Sequence, residues 1–214
     1  MDKKIKTLKI IHLLKKLYPD VKSSLDFKNN LQVMISVMLS ARCSDVAVNK
    51  ATPGLFSKLK TAKNFADASI EEIENYIKTL GLYKTKARNI KNSCKILVEK
   101  HKGQVPNKYE DLIELPGIGR KTATVILSTC FGKIEGITID THNIRLAYRL
   151  GLTEHRDAKR IEQDLLPIVP KRDWDKWSLL MIYHGREICK ARRPECGKCV
   201  LNKICPKIDV NESK

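Results

Sequence analysis

The sequence predicts an all-α protein, on three observations. Apolar residues or strong helix formers recur at helical spacing in ten segments, near 3–17, 27–41, 46–59, 70–79, 84–101, 108–114, 119–131, 141–150, 156–166 and 172–189. Turn-forming stretches separate them, at Pro53-Gly54, Gly81, Gly103 to Pro106, Pro116 to Gly119, Gly132 to Gly136, Gly151 and Pro170. The best strand candidate, "GITID" at 136–140, is so short that it reads as a buried segment threading between helices.

In the first segment, Ile5, Leu8, Ile11, Leu14 and Leu17 share one helical face, with Lys4, Lys9 and Lys16 outside it. That is an amphipathic helix packed on the body of the protein. Lysines interrupt the apolar residues and no small-residue cleavage site follows, so the segment does not read as a signal peptide. The second segment holds the longest apolar stretch, Leu31 to Leu39, which is too short to span a bilayer. An intracellular protein of the cytoplasm or nucleoid is expected. Asp45 stands where it can cap the third helix, and Asp140 where it can cap the one beginning near Thr141. The tail at 208–214 has no large apolar cluster and is expected to fray. If the chain forms two lobes, it crosses between them near 20–25 and 132–137.

Charge narrows the partners. The 214 residues carry 41 Lys and Arg against 24 Asp and Glu, a net charge of +17, while 42% apolar residues suffice for a packed core. Such an excess attracts polyanions, nucleic acid first and an anionic membrane surface second. Of seven cysteines, Cys43, Cys94 and Cys130 lie apart inside helical segments and read as small core residues. The other four are crowded as Cys189-x6-Cys196-x2-Cys199-x5-Cys205. Without a secretion signal, reduced thiols or metal ligands fit better than disulfides. The spacing alone admits zinc or a [4Fe–4S] cluster.

The most informative stretch is "ELPGIGRKTATVIL", residues 114–127. Leu112, Leu115, Gly117, Gly119, Ala123, Ile126 and Leu127 together match the helix-hairpin-helix pattern. Glycine permits φ > 0 and close backbone approach. The turn then aims free amides at the start of the second helix, where the helix dipole also favours an anion. A DNA phosphate is the expected anion, so recognition there is largely independent of sequence.

"LPGIGRKTA" followed by "IDTH" resembles the endonuclease III family of bifunctional DNA glycosylases and lyases of base-excision repair. The similarity extends from "SVMLSARCSDVAVNKATPGLF" through "GLYKTKARNI" to the C-terminal cysteines. The resemblance implies a two-lobed fold with a cleft. A six-helix barrel would span 24–134 and carry the hairpin at about 108–127, and a cluster domain would combine 1–23 with 135–207. It implies Lys121 as the nucleophile and Asp140 as its catalytic partner. It implies a [4Fe–4S] cluster on Cys189, Cys196, Cys199 and Cys205 rather than zinc. The cluster would pin the loop "KARRPE", whose Lys190, Arg192 and Arg193 could meet phosphates or form a solvated basic face.

The implied substrate is duplex DNA with oxidised pyrimidines or abasic sites, bound by a monomer. Reaching a base inside a duplex requires flipping it out and filling the hole. Arg42, where the family often has glutamine, and Leu82 stand at the filling positions. Leu115, Gly117, Gly119 and Arg120 of the hairpin are the expected phosphate contacts, and His142 a candidate liner of the lesion pocket. Core packing for Leu82, a helix-start role for His142, helix capping for Asp140 and a phosphate or solvent role for Lys121 are the plainer readings. Competing functions are a related glycosylase for mismatched adenine or uracil, and a non-enzymatic helix-hairpin-helix DNA-binding module. Lys121 argues against the adenine branch, which usually lacks this lysine.

Overall fold

The computed structural model describes residues 2–213. Among these residues the secondary structure is helical, with no strand. The helices are α1 (Lys3–Leu17), α2 (Asn30–Ser40), α3 (Asp45–Lys58), α4 (Ala62–Asp67), α5 (Ile70–Ile77), α6 (Tyr83–His101), α7 (Tyr109–Ile113), α8 (Arg120–Phe131), α9 (Thr141–Arg149), α10 (Ala158–Leu165) and α11 (Trp174–Glu187). Short 3₁₀ turns lie at Lys171–Asp173, just before α11, and at Cys196–Lys198 and Asn202–Ile204 beyond it. The chain forms two compact units, one of Ser23–Lys133 and one of the chain up to Lys22 together with Ile134 onward.

The Ser23–Lys133 unit holds α2 to α8 around one core. The Asn29 side chain caps α2, whose run of apolar residues buries Val33, Met34, Ile35, Met38 and Leu39. A helix apolar on most of its surface belongs at the centre, and α2 packs against α3, α6 and α8. The long α6 packs against α4 and α5 through a buried stripe of Lys86, Ala87, Ile90, Ser93, Cys94 and Leu97. The other unit joins α1 to α9, α10 and α11 around Ile10, Leu14, Leu146, Ile161, Leu165, Trp177 and Met181.

Several local expectations change. The buried face of α1 is Thr7, Ile10, Ile11 and Leu14, whereas Ile5, Leu8 and Leu17 are exposed. Apolar residues at spacings of three and four fit two phases of one helix, and Tyr18 beyond the helix end extends the buried phase. Pro53-Gly54 does not break α3. Gly54 instead leaves room for the Tyr76 ring, which would lie 3.3 Å from an added Cβ. Ser44, not Asp45, caps α3 by accepting from the Ala47 amide. The short α4 is an addition to the ten expected segments; a capping box of Thr61 and Asn64 sets it. In the terminal segment the Ile208 amide donates to the Arg149 carbonyl, and exposed Arg156–Asp209 and Arg193–Glu212 ion pairs form. "GITID" is non-helical, with Gly136 and Ile137 buried. No helix among the described residues is long and apolar enough to cross a membrane.

Candidate active site

The hairpin lies in the Ser23–Lys133 unit. α7 ends at Ile113, and a turn through Glu114–Gly119 leads into α8. Gly117 has φ +82°, and a Cβ there would stand 2.7 Å from Asn89 Nδ2. Ser93, one helical turn beyond Asn89 on α6, donates to the Pro116 carbonyl at 2.9 Å. The turn is therefore braced from α6. Gly119 differs: its φ is −95° and an added Cβ would meet nothing within 4 Å. The N-terminus of α8 carries no side-chain cap, so its leading amides and dipole favour an incoming anion. Lys121 and Arg120 are exposed in this first turn. Leu115, expected among the phosphate contacts, has its side chain in the core, 1% exposed.

Two further turns of this unit hold Arg42 and Leu82. Both are left-handed, with φ 57° and 60°, a conformation that costs a non-glycine residue about 1–3 kcal/mol and persists only where its surroundings enforce it. Both side chains are exposed, Leu82 by 57%, which sets aside core packing for that leucine. The turns touch: Cys43 Sγ lies 3.9 Å from the Gly81 carbonyl oxygen. Lys86, 6% exposed, donates to the Leu39 carbonyl at 2.8 Å and to Cys43 Sγ at 3.0 Å.

The other unit holds Asp140 and the four cysteines. Asp140 caps α9: its Oδ1 accepts from the Asn143 amide at 2.8 Å and from Asn143 Nδ2 at 2.9 Å. Asn143 is fully buried and also reaches the Ser178 carbonyl. The carboxylate is thus held in one orientation with Oδ1 engaged. His142 packs on Gly185, where a Cβ would sit 2.6 Å from His142 Nδ1, and that nitrogen is 3.2 Å from Arg145.

Arg145 and Arg149 tie α9 to the cysteine loop. Arg145 donates to the Cys189 and Gly185 carbonyls. Arg149 donates to the Lys190 carbonyl at 2.7 Å and the Ala191 carbonyl at 2.9 Å. In that loop Lys190 pairs with Glu195 and Arg193 with Glu212, while Arg192 is exposed.

All four cysteines line one cavity of about 30 Å³, with His184, Leu146 and Leu201 among its walls. The Leu201 and Lys207 amides donate to the Cys199 and Cys205 sulfurs, and His184 Nε2 is 3.3 Å from Cys199 Sγ. Burial raises Cys199 to about 11 and moves Cys205 in the same direction, so thiolates here require a cation to compensate them. Among the described residues no group of three or more His, Cys, Asp or Glu side chains converges on a single ion position. Four cysteines around one cavity meet the need of a [4Fe–4S] cluster for one cysteine per iron.

Lys86, Asn89, Ser93, Asn143, Arg145 and Arg149 escaped the sequence reading. The signal for some was present. Lys86 and Ser93 interrupt the apolar stripe of α6, and Asn143 and Arg149 are buried polar residues of α9.

An all-helical fold with a braced helix-hairpin-helix turn and a four-cysteine loop defines a DNA-repair glycosylase class. The model of the HhH-GPD superfamily base excision DNA repair protein matches residues 35–171, and that of the iron-sulfur binding domain of endonuclease III matches 189–205. Endonuclease III of Synechocystis sp. is 45% identical over 205 residues, covering 96% of this chain and 94% of that protein. Endonuclease III of Escherichia coli K12 is 39% identical over 213 residues, covering 97% and 99%. A solved structure of a trapped endonuclease III–DNA covalent intermediate, an estranged-adenine complex, superposes with TM-score 0.90 at 38% identity, covering 97% of each chain. The chain belongs to the endonuclease III family, and its cofactor is the family's [4Fe–4S] cluster.

The two hairpin glycines should separate on substitution. Gly117→Ala is expected to lower unfolding free energy by about 1–3 kcal/mol in urea titrations, because it forces both a left-handed alanine and a clash with Asn89. Gly119→Ala should stay within about 0.5 kcal/mol of wild type. For the cysteines, the purified protein should contain about four irons and matching sulfide, with visible absorbance near the blue, and Cys199→Ala should lose both. Stoichiometric zinc without iron would contradict the cluster.

Proposed function

We propose that the protein removes oxidised pyrimidines, such as thymine glycol, from duplex DNA and then cleaves the strand at the resulting abasic site through a Schiff base on Lys121. The observation that carries this reading is the uncapped start of α8, which presents the exposed Lys121 beside amides and a Gly119 surface left clear of protein. A phosphate fits that opening, and the neighbouring amine then has a sugar within reach.

The steps balance as follows. The neutral amine of Lys121 attacks C1′, and the damaged base leaves with the electron pair of the glycosidic bond and takes up a proton. The attacking nitrogen loses a proton, its lone pair then displaces O4′ from C1′, and O4′ takes up a proton as the sugar ring opens, giving a protonated imine between Lys121 and C1′. The imine acidifies the C2′ proton, whose removal expels the 3′ phosphate and nicks the strand. Water then hydrolyses the imine and restores the amine. Asp140 is assigned as proton acceptor and as the carboxylate that stabilises positive charge on the sugar. A charged carboxylate would favour the ammonium form of a nearby lysine, so suppressing the lysine's basicity is not its role. Asn143 holds it for this work through two hydrogen bonds to Oδ1.

Arg42 and Leu82 are assigned to the space left by the flipped nucleotide. The exposed leucine stacks in the helix, and the guanidinium donates to the orphaned base. Arginine donates more hydrogen bonds than glutamine and accepts none, so opposite-base preference is expected to shift toward bases offering acceptors. Cys189, Cys196, Cys199 and Cys205 hold the cluster, which when bound supplies iron–thiolate links that fix the 189–205 loop. Arg192 and its neighbours Lys190 and Arg193 are the loop's candidate phosphate contacts. Of the relatives, the trapped covalent intermediate belongs to endonuclease III itself and supports a covalent route here.

Incubating the holoprotein with duplex DNA containing thymine glycol or an abasic site, then adding borohydride, should yield a covalent protein–DNA adduct. Lys121→Ala should abolish it, and Asp140→Asn should slow its formation by about 10²–10⁴-fold. Absence of adduct from iron-replete protein on both DNAs would overturn the assignment.

A further inference from the structure

The two strained turns are joined by a buried polar clasp. Lys86 extends from the first turn of α6, immediately after the Gly81-Leu82 turn, and is 6% exposed. Its Nζ donates to the carbonyl of Leu39, in the last turn of α2, at 2.8 Å. Carbonyls at a helix C-terminus carry partial negative charge and accept a cation well. The same Nζ lies 3.0 Å from Cys43 Sγ, and that sulfur lies 3.9 Å from the Gly81 carbonyl oxygen. One amine thus touches the end of α2 and the Cys43 thiol, and the thiol touches the second turn. Arg42 precedes Cys43 and Leu82 follows Gly81, both at positive φ.

A lysine is a costly way to fill this volume. The stripe around it is apolar at Ala87, Ile90, Cys94 and Leu97, and methionine would pack there without burying an amine. What methionine lacks is the pair of directional bonds that fix the Ala41–Ser44 turn against α6. Left-handed arginine and leucine residues persist only where neighbours enforce them, and the clasp is a polar contact that reaches both turns.

We propose that Lys86, acting through Cys43, is a positioning residue that sets the spacing of Arg42 and Leu82 and so governs insertion into duplex DNA and discrimination of the orphaned base. The proposal rests on the assignment of Arg42 and Leu82 under Proposed function. Lys86 itself touches no substrate; it holds the two turns whose side chains do.

The test compares borohydride trapping on abasic duplex and on abasic single strands, where no partner strand needs to be displaced. Holoprotein of wild type, Lys86→Met, Cys43→Ala, Arg42→Ala and Leu82→Ala is used under single turnover. Lys86→Met should slow trapping on duplex by about tenfold and on single strands by less than about twofold. Cys43→Ala should move the duplex-to-single-strand ratio in the same direction by a smaller factor. Both should also flatten the dependence of the duplex rate on the base opposite the abasic site. A merely destabilising substitution would slow both DNAs alike, and that result overturns the proposal. If circular dichroism shows Lys86→Met unfolded, Cys43→Ala decides alone. A ratio altered by Arg42→Ala or Leu82→Ala but not by Lys86→Met or Cys43→Ala overturns the clasp and keeps the insertion reading. A ratio unaffected by Arg42→Ala and Leu82→Ala sinks the insertion reading and the clasp with it.

Discussion

The uncapped N-terminus of α8 is the constraint on which the remaining assignments depend. A helix start leaves backbone amides without intrahelical partners, and most helices of this chain settle them with a side chain, as Asn29, Ser44, Thr61, Ser69, Asp140 and Asp157 do. Before α8 the cap position is Gly119, which has no side chain to serve in this way. The amides of α8 stay available to an external anion, and the turn before it is not left to chance. Gly117 takes a conformation suited to glycine, Asn89 of α6 packs on it, and Ser93 of α6 donates to the carbonyl of its neighbour Pro116. The proposed phosphate site is therefore braced from α6 on the protein side, and Lys121 stands in the helical turn that follows it.

A second linkage runs through α9. Its first turn holds the Asp140 carboxylate with Asn143, and its last turns send Arg145 and Arg149 into carbonyls at 189–191. One short helix thus orients a candidate catalytic carboxylate at one end and the start of the cysteine loop at the other. A cluster that ordered this loop when bound would also steady the carbonyl acceptors of α9's arginines.

Much of this was legible in the sequence. Helix periodicity located ten of the helical segments, because an apolar stripe is a direct consequence of packing one helix face into a core. The hairpin was legible because its glycines and apolar residues each answer a separate geometric need. The cysteine spacing was legible because ligands of one centre must lie close in the chain or be folded together. Short or relational features were not. α4 spans six residues, too few for a period, and only its capping box marks it. The phase of α1 depends on what covers it, so Ile5 and Leu8 read as core while Thr7 and Ile10 fill that role. The burial of Lys86 beside Cys43 joins residues 43 positions apart, and a single sequence gives no sign of such a pairing. Asp140 shows the limit from the other side: capping and proton transfer ask for the same residue at the same place, and sequence alone does not separate them.

The central claim is that one amine, at the open start of α8, forms the bond to DNA. The direct measurement is peptide mapping by mass spectrometry of the borohydride-reduced adduct made by wild-type holoprotein on abasic duplex DNA. The account predicts that the sugar remnant is found on Lys121 alone. A remnant on any other lysine, or on the N-terminal amine, would contradict it.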